Sequence, residues 1–260
     1  MTSDRILDLV GRPGGPLSDA SLWPLEVIDA GPVTPNLHRL VLTAPDLGDL
    51  RFRAGQDLML RVPQPGEGVV NRRYTIRRLD RAASAVTLDV SLHGAGPGTD
   101  WIRAAQVGSR IDAIGPRGKV FLRDEADWHL FVGDETGQPG ALAMMEALAP
   151  GSVAVALIEI DSPADEQQPE AGPMEQLDIR WLHRLGRSVP GDPSLMIGAV
   201  ADADLPAGRG HVYVAAESHV VRAVQGALRD RGLDRDQVSA KAYWRRGLPN
   251  SEIGEPTGTD

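Results

Sequence analysis

The spacing of apolar residues changes once along the chain, near Arg123–Asp127, and this change constrains the fold more than any other feature. Before it, apolar and polar residues alternate in short runs, most clearly in Val86–Leu92. A period of two residues predicts β-strands with one buried face. After it, nearly continuous apolar runs such as Val153–Ile160 alternate with stretches of helical spacing. The 260 residues therefore predict an antiparallel β unit followed by an α/β unit.

The short runs of the first half are separated by turns rich in glycine and proline, among them Gly115–Gly118. Besides Val86–Leu92, these runs are Leu25–Ile28, Leu37–Leu42, Asp57–Val62 and Arg73–Arg77. About six short strands with polar turns favour a closed barrel, because closure leaves no exposed strand edge. We predict a six-stranded antiparallel β barrel over residues 23–125, preceded by a flexible N-terminal arm at residues 1–22.

The second half contains short apolar runs that indicate strands, separated by helical stretches. The runs are Trp128–Val132, Val153–Ile160, Ile179–Leu182, His211–Ala215 and Val238–Tyr243. Ser218 is predicted as the N-cap of a helix that ends just before Gly232. Alternating strands and helices predict a mostly parallel sheet that binds ligands at the carboxyl ends of its strands. We assign this α/β domain to residues 126–250, with a tail at residues 251–260.

Composition excludes several classes of function. The chain has no cysteine, which removes disulfides, thiolate nucleophiles and cysteine-bound metals. Its net charge of -9 argues against general nucleic-acid binding. The longest wholly apolar run, Val153–Ile158, is far shorter than the roughly 18 residues of a membrane span. Met1–Gly15 lacks the apolar stretch of a signal peptide, so we expect a cytoplasmic protein with no membrane span.

Several catalytic motifs are also missing. The sequence has no P-loop, no nucleophile elbow, no H-E-x-x-H and no G-x-G-x-x-G fingerprint, and its six histidines are dispersed. We therefore expect no protein-bound metal, and the sequence shows no constellation of a catalytic acid, base or nucleophile.

Charge is distributed unevenly along the chain. Between Arg51 and Arg81 there are eight arginines against three acids, whereas Asp124–Asp192 contains fourteen acids against three arginines. A general compositional preference for arginine is the plainer interpretation. A basic segment inside an acidic protein is still the place where an anionic ligand is expected.

One strand and one turn carry the parts of a phosphate-binding site. In an extended strand over Asn71–Arg77, Arg72 and Tyr74 share a face, which places a cation beside an aromatic ring. Thr75 follows with a hydroxyl group. The glycine-rich turn His93–Thr99 leads into a short predicted helix, whose free N-terminal amides favour an anion. These parts suit a pyrophosphate joined to a flat ring, although each part alone is common on protein surfaces.

The strand has the pattern R-x-Y-T-x-R from Arg72, and the turn has the pattern H-G-x-G-P from His93, followed by a tryptophan-bearing helix. Together these motifs resemble the siderophore-interacting proteins, which are flavoproteins of the ferredoxin-reductase superfamily. Further matches are Gly115–Gly118, Gly133–Thr136, Trp181–Arg184 and Tyr243–Gly247. The resemblance covers the chain from about Trp23 to Gly247, and motifs in this order are much more specific than any single one.

The resemblance implies an FAD-binding barrel and a C-terminal nucleotide-binding domain that receives NADH or NADPH. The implied FAD contacts are Arg72, Tyr74, Thr75, Arg77, His93, Gly94, Gly96, Gly98 and Thr99. Arg72 would hold phosphate, Tyr74 would lie against the isoalloxazine, and Thr75 would lie near flavin N5. The implied contacts in the second domain are Asp134, Glu135, Thr136, Glu217, Trp244 and Arg245.

The implied activity is reduction of ferric siderophores. Hydride from the nicotinamide would reach the flavin, and single electrons would then convert Fe(III) to Fe(II), which oxygen chelators hold less well. Two alternatives stay open: a related flavoreductase with a ferredoxin-type donor or another acceptor, and a non-catalytic protein that binds siderophore or flavin. Gly137, Gln138, Ala216 and Ala242 depart from the family pattern, which weakens the expectation of NAD(P)H more than that of FAD.

Overall fold

The structure is a computed structural model that describes residues 21–247, except residues 65, 67, 93 and 173–175, and these residues form two β-sheets. Most of the predicted N-terminal arm and the whole predicted tail lie outside the described residues. The division of the chain between residues 125 and 126 stays a prediction.

The first sheet is antiparallel throughout. Its strands are β1 (Ser21–Pro32), β2 (Leu37–Thr43), β3 (Asp57–Gln64), β4 (Gly68–Thr75), β5 (Arg78–Asp80), β6 (Ala85–Ser91) and β7 (Arg110–Arg117). They lie in the order β4-β3-β7-β1-β2-β6-β5. The predicted antiparallel β unit is confirmed, with seven strands in the described residues where six were expected. Its sheet is a half-barrel whose order ends at β4 and β5, where a closed barrel was expected. Strand β5 has only three residues, which is too short for an alternation to be visible in the sequence.

The predicted turn at Gly115–Gly118 is wrong for most of its length, because Gly115–Arg117 form the end of β7. This end of β7 pairs with β1 on one side and with β3 on the other. A Cβ added to Gly115 would lie 2.5 Å from Leu58 Cδ2. The glycine therefore permits the close approach of β7 to β3 and does not mark a turn.

The sheet curls around one apolar core. After β4 the backbone N–H of Arg77 donates to the Thr87 carbonyl of β6 at 2.9 Å, so the chain passes from one edge of the sheet towards the other. Leu40 and Leu60 are fully buried in this core, and complete burial of one such side chain stabilises a fold by about 1.5–3 kcal/mol. Helix α1 (Pro97–Ala104) follows β6 and packs against the same core.

The second sheet is entirely parallel. Its strands are β8 (Trp128–Gly133), β9 (Val153–Ile160), β10 (Leu177–His183), β11 (His211–Glu217) and β12 (Val238–Trp244), in the order β10-β9-β8-β11-β12. Its helices are α2 (Gln138–Glu146), α3 (Ser194–Ala201) and α4 (Ser218–Asp230). Helix α2 covers one face beside Phe131, and α3 and α4 cover the other beside Val214, so the strands are apolar on both faces. The predicted parallel α/β unit is confirmed. Within the described part of the chain, no helix has the length and apolar character needed to cross a membrane.

Helix α4 begins one residue earlier than expected. Glu217 is its N-cap in place of Ser218, and the Glu217 carboxylate accepts hydrogen bonds from the N–H groups of His219 and Val220. Ser218 is the first helical residue, and its hydroxyl donates to Glu217 Oε1. The cap is therefore made by a longer side chain than the usual serine, threonine or aspartate.

The arginine-rich segment of the first sheet faces the acidic segment of the second. Both Nη atoms of Arg77 donate to the Glu146 carboxylate at 2.6 Å, and Arg78 Nη2 lies 2.6 Å from Glu170 Oε2. The hypothesis that this segment binds an anionic ligand is wrong for these two arginines, because carboxylates of the same chain neutralise them. These two arginines instead connect the first sheet to the second half of the molecule through ion pairs.

Candidate cofactor site

Strand β4 places two of the predicted cofactor residues beside helix α1. Arg72 and Tyr74 lie on the same face of β4, as the period of a strand requires. A Cβ added to Gly98 would lie 2.5 Å from Tyr74 Oη and 3.0 Å from Arg72 Cγ. Glycine at position 98 therefore lets the first turn of α1 approach both side chains directly.

The glycine-rich turn before α1 leaves its backbone accessible. Gly94 and Gly96 have φ angles of 76° and 148°, and a Cβ built on Gly94 would meet no atom within 4 Å. Gly96 is the N-cap of α1, and because it has no side chain it cannot accept hydrogen bonds from the free N–H groups in the first turn of the helix. These groups and the positive end of the helix dipole favour an anion next to Arg72. Thr99 lies in this first turn, and His93 lies outside the described residues.

Tyr74 carries a phenol that is protonated at neutral pH. Burial raises the pKa of Tyr74 to about 12, and the neighbouring Arg72 guanidinium opposes this only in part. The ring packs against the core of the first sheet and is half-buried. Its remaining surface offers a flat apolar platform beside a cation.

Thr75 lies where the two sheets meet. Its Oγ1 is 3.1 Å from Tyr243 Oη at the end of β12. A Cβ on Gly140, in the first turn of α2, would lie 3.3 Å from Thr75 Cγ2. The carboxyl end of the parallel sheet thus contacts the strand that carries the predicted cofactor residues. Sequence reasoning missed Tyr243 and Gly140 as site residues, although Tyr243 belongs to one of the motifs behind the resemblance.

Asp57 links the two sheets at the same junction. Arg73 donates to both Asp57 carboxylate oxygens at 2.8 Å, and Lys241 of β12 donates to Asp57 Oδ2 at 2.7 Å. Residues 241 and 243 share a face of β12, so Lys241 helps to set where Tyr243 meets Thr75. Sequence reasoning missed this group. The available signal was that Lys241 is one of only two lysines and lies in a predicted strand.

The residues at this junction fit a flavin dinucleotide. A pyrophosphate needs a cation and free backbone N–H groups, which Arg72 and the first turn of α1 supply. A flat ring needs an apolar surface with a hydroxyl nearby, which Tyr74 and Thr75 supply. The assignment of these individual contacts stays a prediction.

Gly98→Ala should disturb this packing. The new methyl group would displace Tyr74 Oη or shift α1, and overpacking of this kind costs about 1–3 kcal/mol. We expect a lower free energy of unfolding in urea and weaker FAD binding in a fluorescence titration. Gly31→Ala is the control, because a Cβ there would meet no atom within 4 Å. An unchanged FAD affinity in Gly98→Ala would contradict the close contact between α1 and β4.

Arg77 is used differently from the expected role. Its side chain is buried, both Nη atoms bind Glu146, and its Nε lies 3.8 Å from Asp89. A contact with FAD is therefore not supported, because the guanidinium is occupied by carboxylates of the chain. Since Glu146 ends α2, Arg77 instead fixes the far end of the helix whose first turn meets Thr75.

Four of the predicted donor-side residues meet at the carboxyl end of the parallel sheet. Asp134 follows β8, and its Oδ1 accepts from the backbone N–H and the hydroxyl of Thr136. Asp134 Oδ2 accepts from Glu217 N at 3.0 Å and from Trp244 Nε1 at 2.8 Å. The structure brings these residues together, but their polar groups bind one another instead of pointing into an open binding site. Arg245 follows Trp244 and is exposed.

Glu135, the remaining predicted donor-side residue, belongs to a separate buried cluster. Arg184, just after β10, binds the Glu135 carboxylate through both Nη atoms, and its Nη1 donates to Glu159 Oε1 at 3.1 Å. All three side chains are buried. A cofactor contact from Glu135 is not supported, because its carboxylate is taken up by Arg184.

This cluster predicts a pH dependence of stability. Burial raises the pKa of Glu159 from 4.5 to about 7, more than the Arg184 hydrogen bond and charge lower it. Because the folded pKa lies above the unfolded one, the stabilising contribution is present in acid and is lost as the pH rises from about 4.5 to about 7. Glu159→Gln should therefore flatten the fall of Tm over this range, measured by scanning calorimetry.

Asp178→Asn is the control for Glu159→Gln, because Asp178 forms an exposed pair with Arg180 on the same sheet. Its Tm profile should match that of the wild type. If Glu159→Gln and the wild type lose stability equally between acid and neutral pH, Glu159 does not carry the dependence.

Comparison with known proteins shows which family these elements represent. The siderophore-interacting FAD-binding domain matches residues 53–120, and the siderophore-interacting protein family matches residues 126–247. Ferric vibriobactin reductase ViuB of Vibrio cholerae is 30% identical over 242 residues, which cover 83% of this chain and 86% of that protein. The chain belongs to the siderophore-interacting protein family. The resemblance predicted from its motifs is confirmed.

Further comparisons agree with this result. The crystal structure of a siderophore utilization protein from T. fusca has a TM-score of 0.81 and 32% identity, covering 90% of this chain and 96% of that chain. An NADPH-dependent ferric-chelate reductase of Escherichia coli is 24% identical, covering 87% of this chain and 94% of that protein. Relatives from Mycobacterium that are 36% identical match over only 65% of their own length, so this chain spans less than two thirds of them.

Proposed function

We propose that this siderophore-interacting protein is an FAD-dependent oxidoreductase that reduces ferric siderophores and so releases Fe(II). The observation that carries the proposal is the junction at which Arg72, Tyr74 and the first turn of α1 meet Thr75 at the contact between the sheets. The ferric vibriobactin reductase among its relatives supports the substrate class. FAD, when bound, accepts a hydride and passes electrons on singly, which protein side chains cannot do.

The residues of the chain would bind and orient the reactants. Arg72 and the N-terminal amides of α1 would hold the pyrophosphate, and Tyr74 would support the flat ring. The hydroxyl of Thr75, oriented by Tyr243, would donate or accept a hydrogen bond at the ring edge. A reaction of this kind needs no side chain as acid, base or nucleophile, which agrees with the absence of such a motif in the sequence.

We propose residues 23–125 as the FAD-binding unit and residues 126–250 as the donor-binding unit, with NADPH or NADH as donor. The name of the Escherichia coli relative supports NADPH, and ligands of parallel α/β sheets bind at the carboxyl ends of the strands. A ferredoxin-type protein is the other candidate donor. A cytoplasmic location also stays a prediction, which the complete absence of cysteine permits.

Anaerobic mixing tests the donor. The FAD-loaded protein would be mixed separately with NADPH, NADH and reduced ferredoxin while the visible flavin absorbance is followed. We expect NADPH or NADH to bleach the band. If only reduced ferredoxin bleaches the band, the electron donor is a protein and not a nicotinamide nucleotide. Failure of all three donors, with dithionite still bleaching the band, would contradict the reductase proposal on the donor side.

A further inference from the structure

Asp134 has both carboxylate oxygens filled by donors of its own chain. Its Oδ1 accepts from Thr136 N at 2.9 Å, from the Thr136 hydroxyl and from Gly137 N at 3.3 Å. Its Oδ2 accepts from Glu217 N and Trp244 Nε1. A carboxylate has about four lone-pair sites, and Asp134, which is 3% exposed, already receives five hydrogen bonds. It has no acceptor capacity left for the hydroxyl groups of a nucleotide ribose.

Glu217 is filled in the same way. Its Oε2 accepts from His219 N and Val220 N, and its Oε1 accepts from Arg246 N at 3.0 Å. Although burial opposes ionisation, these backbone N–H groups hold the pKa of Glu217 below its ordinary range. Asp134 therefore holds Trp244, and Glu217 holds the backbone of Arg246, so the chain is fixed on both sides of Arg245.

The Trp244 indole is also held by the loop that follows β10. A Cβ on Gly191 of this loop would lie 3.4 Å from Trp244 Cη2 and 3.1 Å from Glu217 Cγ. Gly191 has a φ of 86°, which favours glycine, so the loop can approach without a side chain. The indole thus lies between Asp134 and this loop.

The other face of β12 contacts the first sheet. Tyr243 Oη lies 3.1 Å from Thr75 Oγ1, and Lys241 Nζ donates to Asp57. Tyr243 and Trp244 are adjacent in β12, where the pairing with β11 shifts by one residue, so holding the Trp244 indole constrains the backbone that carries Tyr243.

We infer that Asp134 and Glu217 are positioning residues, which hold the end of β12 so that Tyr243 stays on Thr75, and that they do not contact a donor nucleotide. The inference reverses the expectation that these acids bind the nucleotide directly. It rests on the proposed function only in taking Thr75 as a neighbour of FAD.

Asp134→Asn tests the inference. The asparagine replaces one of the two accepting oxygens with an NH₂ group, which cannot accept a hydrogen bond from the N–H groups on that side. The variant and the wild type would each be prepared with and without Trp244→Phe. The difference within each pair isolates the emission of Trp244 from that of the other four tryptophans. Asp161→Asn is the matched control, because it removes the same charge after the neighbouring strand β9 from a side chain that is 54% exposed.

We expect acrylamide to quench Trp244 more strongly in Asp134→Asn, because the loss of a hydrogen bond to a charged group raises the equilibrium constant for release of the indole roughly tenfold. The quenching should not change in Asp161→Asn. The visible band of bound FAD should shift in Asp134→Asn. It should also shift in Trp244→Phe, because a phenyl ring cannot donate the hydrogen bond that the indole gives to Asp134 Oδ2. The dissociation constants of NADH and NADPH, measured by calorimetry, should stay within about twofold of the wild type in Asp134→Asn.

Two results would overturn the inference. One is an unchanged quenching of Trp244 in Asp134→Asn. The other is a nucleotide affinity that falls roughly tenfold or more in Asp134→Asn while Trp244 stays protected, which is the signature of a direct contact. If neither nucleotide binds the wild-type protein, the proposed donor fails, and the measurements on Trp244 and on the flavin band still decide the positioning role.

Discussion

Arg72→Ala should weaken FAD binding roughly ten- to hundredfold, because a charge-assisted contact with phosphate of about 1.5–3 kcal/mol is lost. Arg72 lies beside the first turn of α1, and the free N–H groups of that turn favour the same anion. The dissociation constant would be measured by titrating the apoprotein with FAD and following the fluorescence of the cofactor.

Arg110→Ala is the matched control for Arg72→Ala. It removes the same charge from the same sheet, at an exposed position of β7 where Arg110 pairs with Glu26. Its FAD affinity should equal that of the wild type. Stoichiometric retention of FAD by Arg72→Ala, with an unchanged dissociation constant, would show that the phosphate site lies elsewhere.

Arg184→Met should produce the largest loss of stability. The methionine keeps the volume of the side chain but leaves the Glu135 and Glu159 carboxylates buried without a cation, which costs about 3–5 kcal/mol. The free energy of unfolding would be measured in urea. The loss should be smaller in acid than at neutral pH, because protonation removes the uncompensated charges.

Arg180→Met provides the comparison on the same edge of the sheet. Arg180 forms an ion pair with Asp178 at the protein surface, and exposed pairs of this kind contribute about 0–1 kcal/mol to stability. If Arg180→Met and Arg184→Met cost the same, the buried cluster does not have the energetic role assigned to it.

The candidate cofactor site was predictable where it depends on local pattern. The alternation of residues along β4 placed Arg72 and Tyr74 on one face, and the glycines marked the turn before α1. Both are properties of a few consecutive residues, since side-chain direction follows the period of a strand. The family motifs then joined the strand to the turn.

The contacts between the sheets were not predictable in this way. Asp57 and Lys241 are 184 positions apart, and Thr75 and Tyr243 are 168 apart. Their meeting depends on how the two sheets dock, and no local pattern records that. The uneven charge was visible in the sequence, but that Arg77 faces Glu146 was not.

The positioning role that we infer for the acids at the carboxyl end of the parallel sheet could not be predicted for a related reason. A carboxylate that binds a ribose and one that binds backbone N–H groups have the same place in the sequence. Only the positions of Thr136, Glu217 and Trp244 around Asp134 distinguish the two.

The central claim is tested most directly by single-turnover oxidation of the reduced protein. The FAD-loaded protein would be reduced under anaerobic conditions with one equivalent of dithionite, which supplies two electrons per FAD, and mixed with ferric siderophore in the presence of a ferrous trap. We predict that the flavin band returns and that about two Fe(II) appear per FAD, because a two-electron carrier is emptied one electron at a time. Iron-free siderophore should have no effect. A band that stays bleached after ferric siderophore is added, with no Fe(II) formed, would contradict the assignment of this protein as a ferric-siderophore reductase.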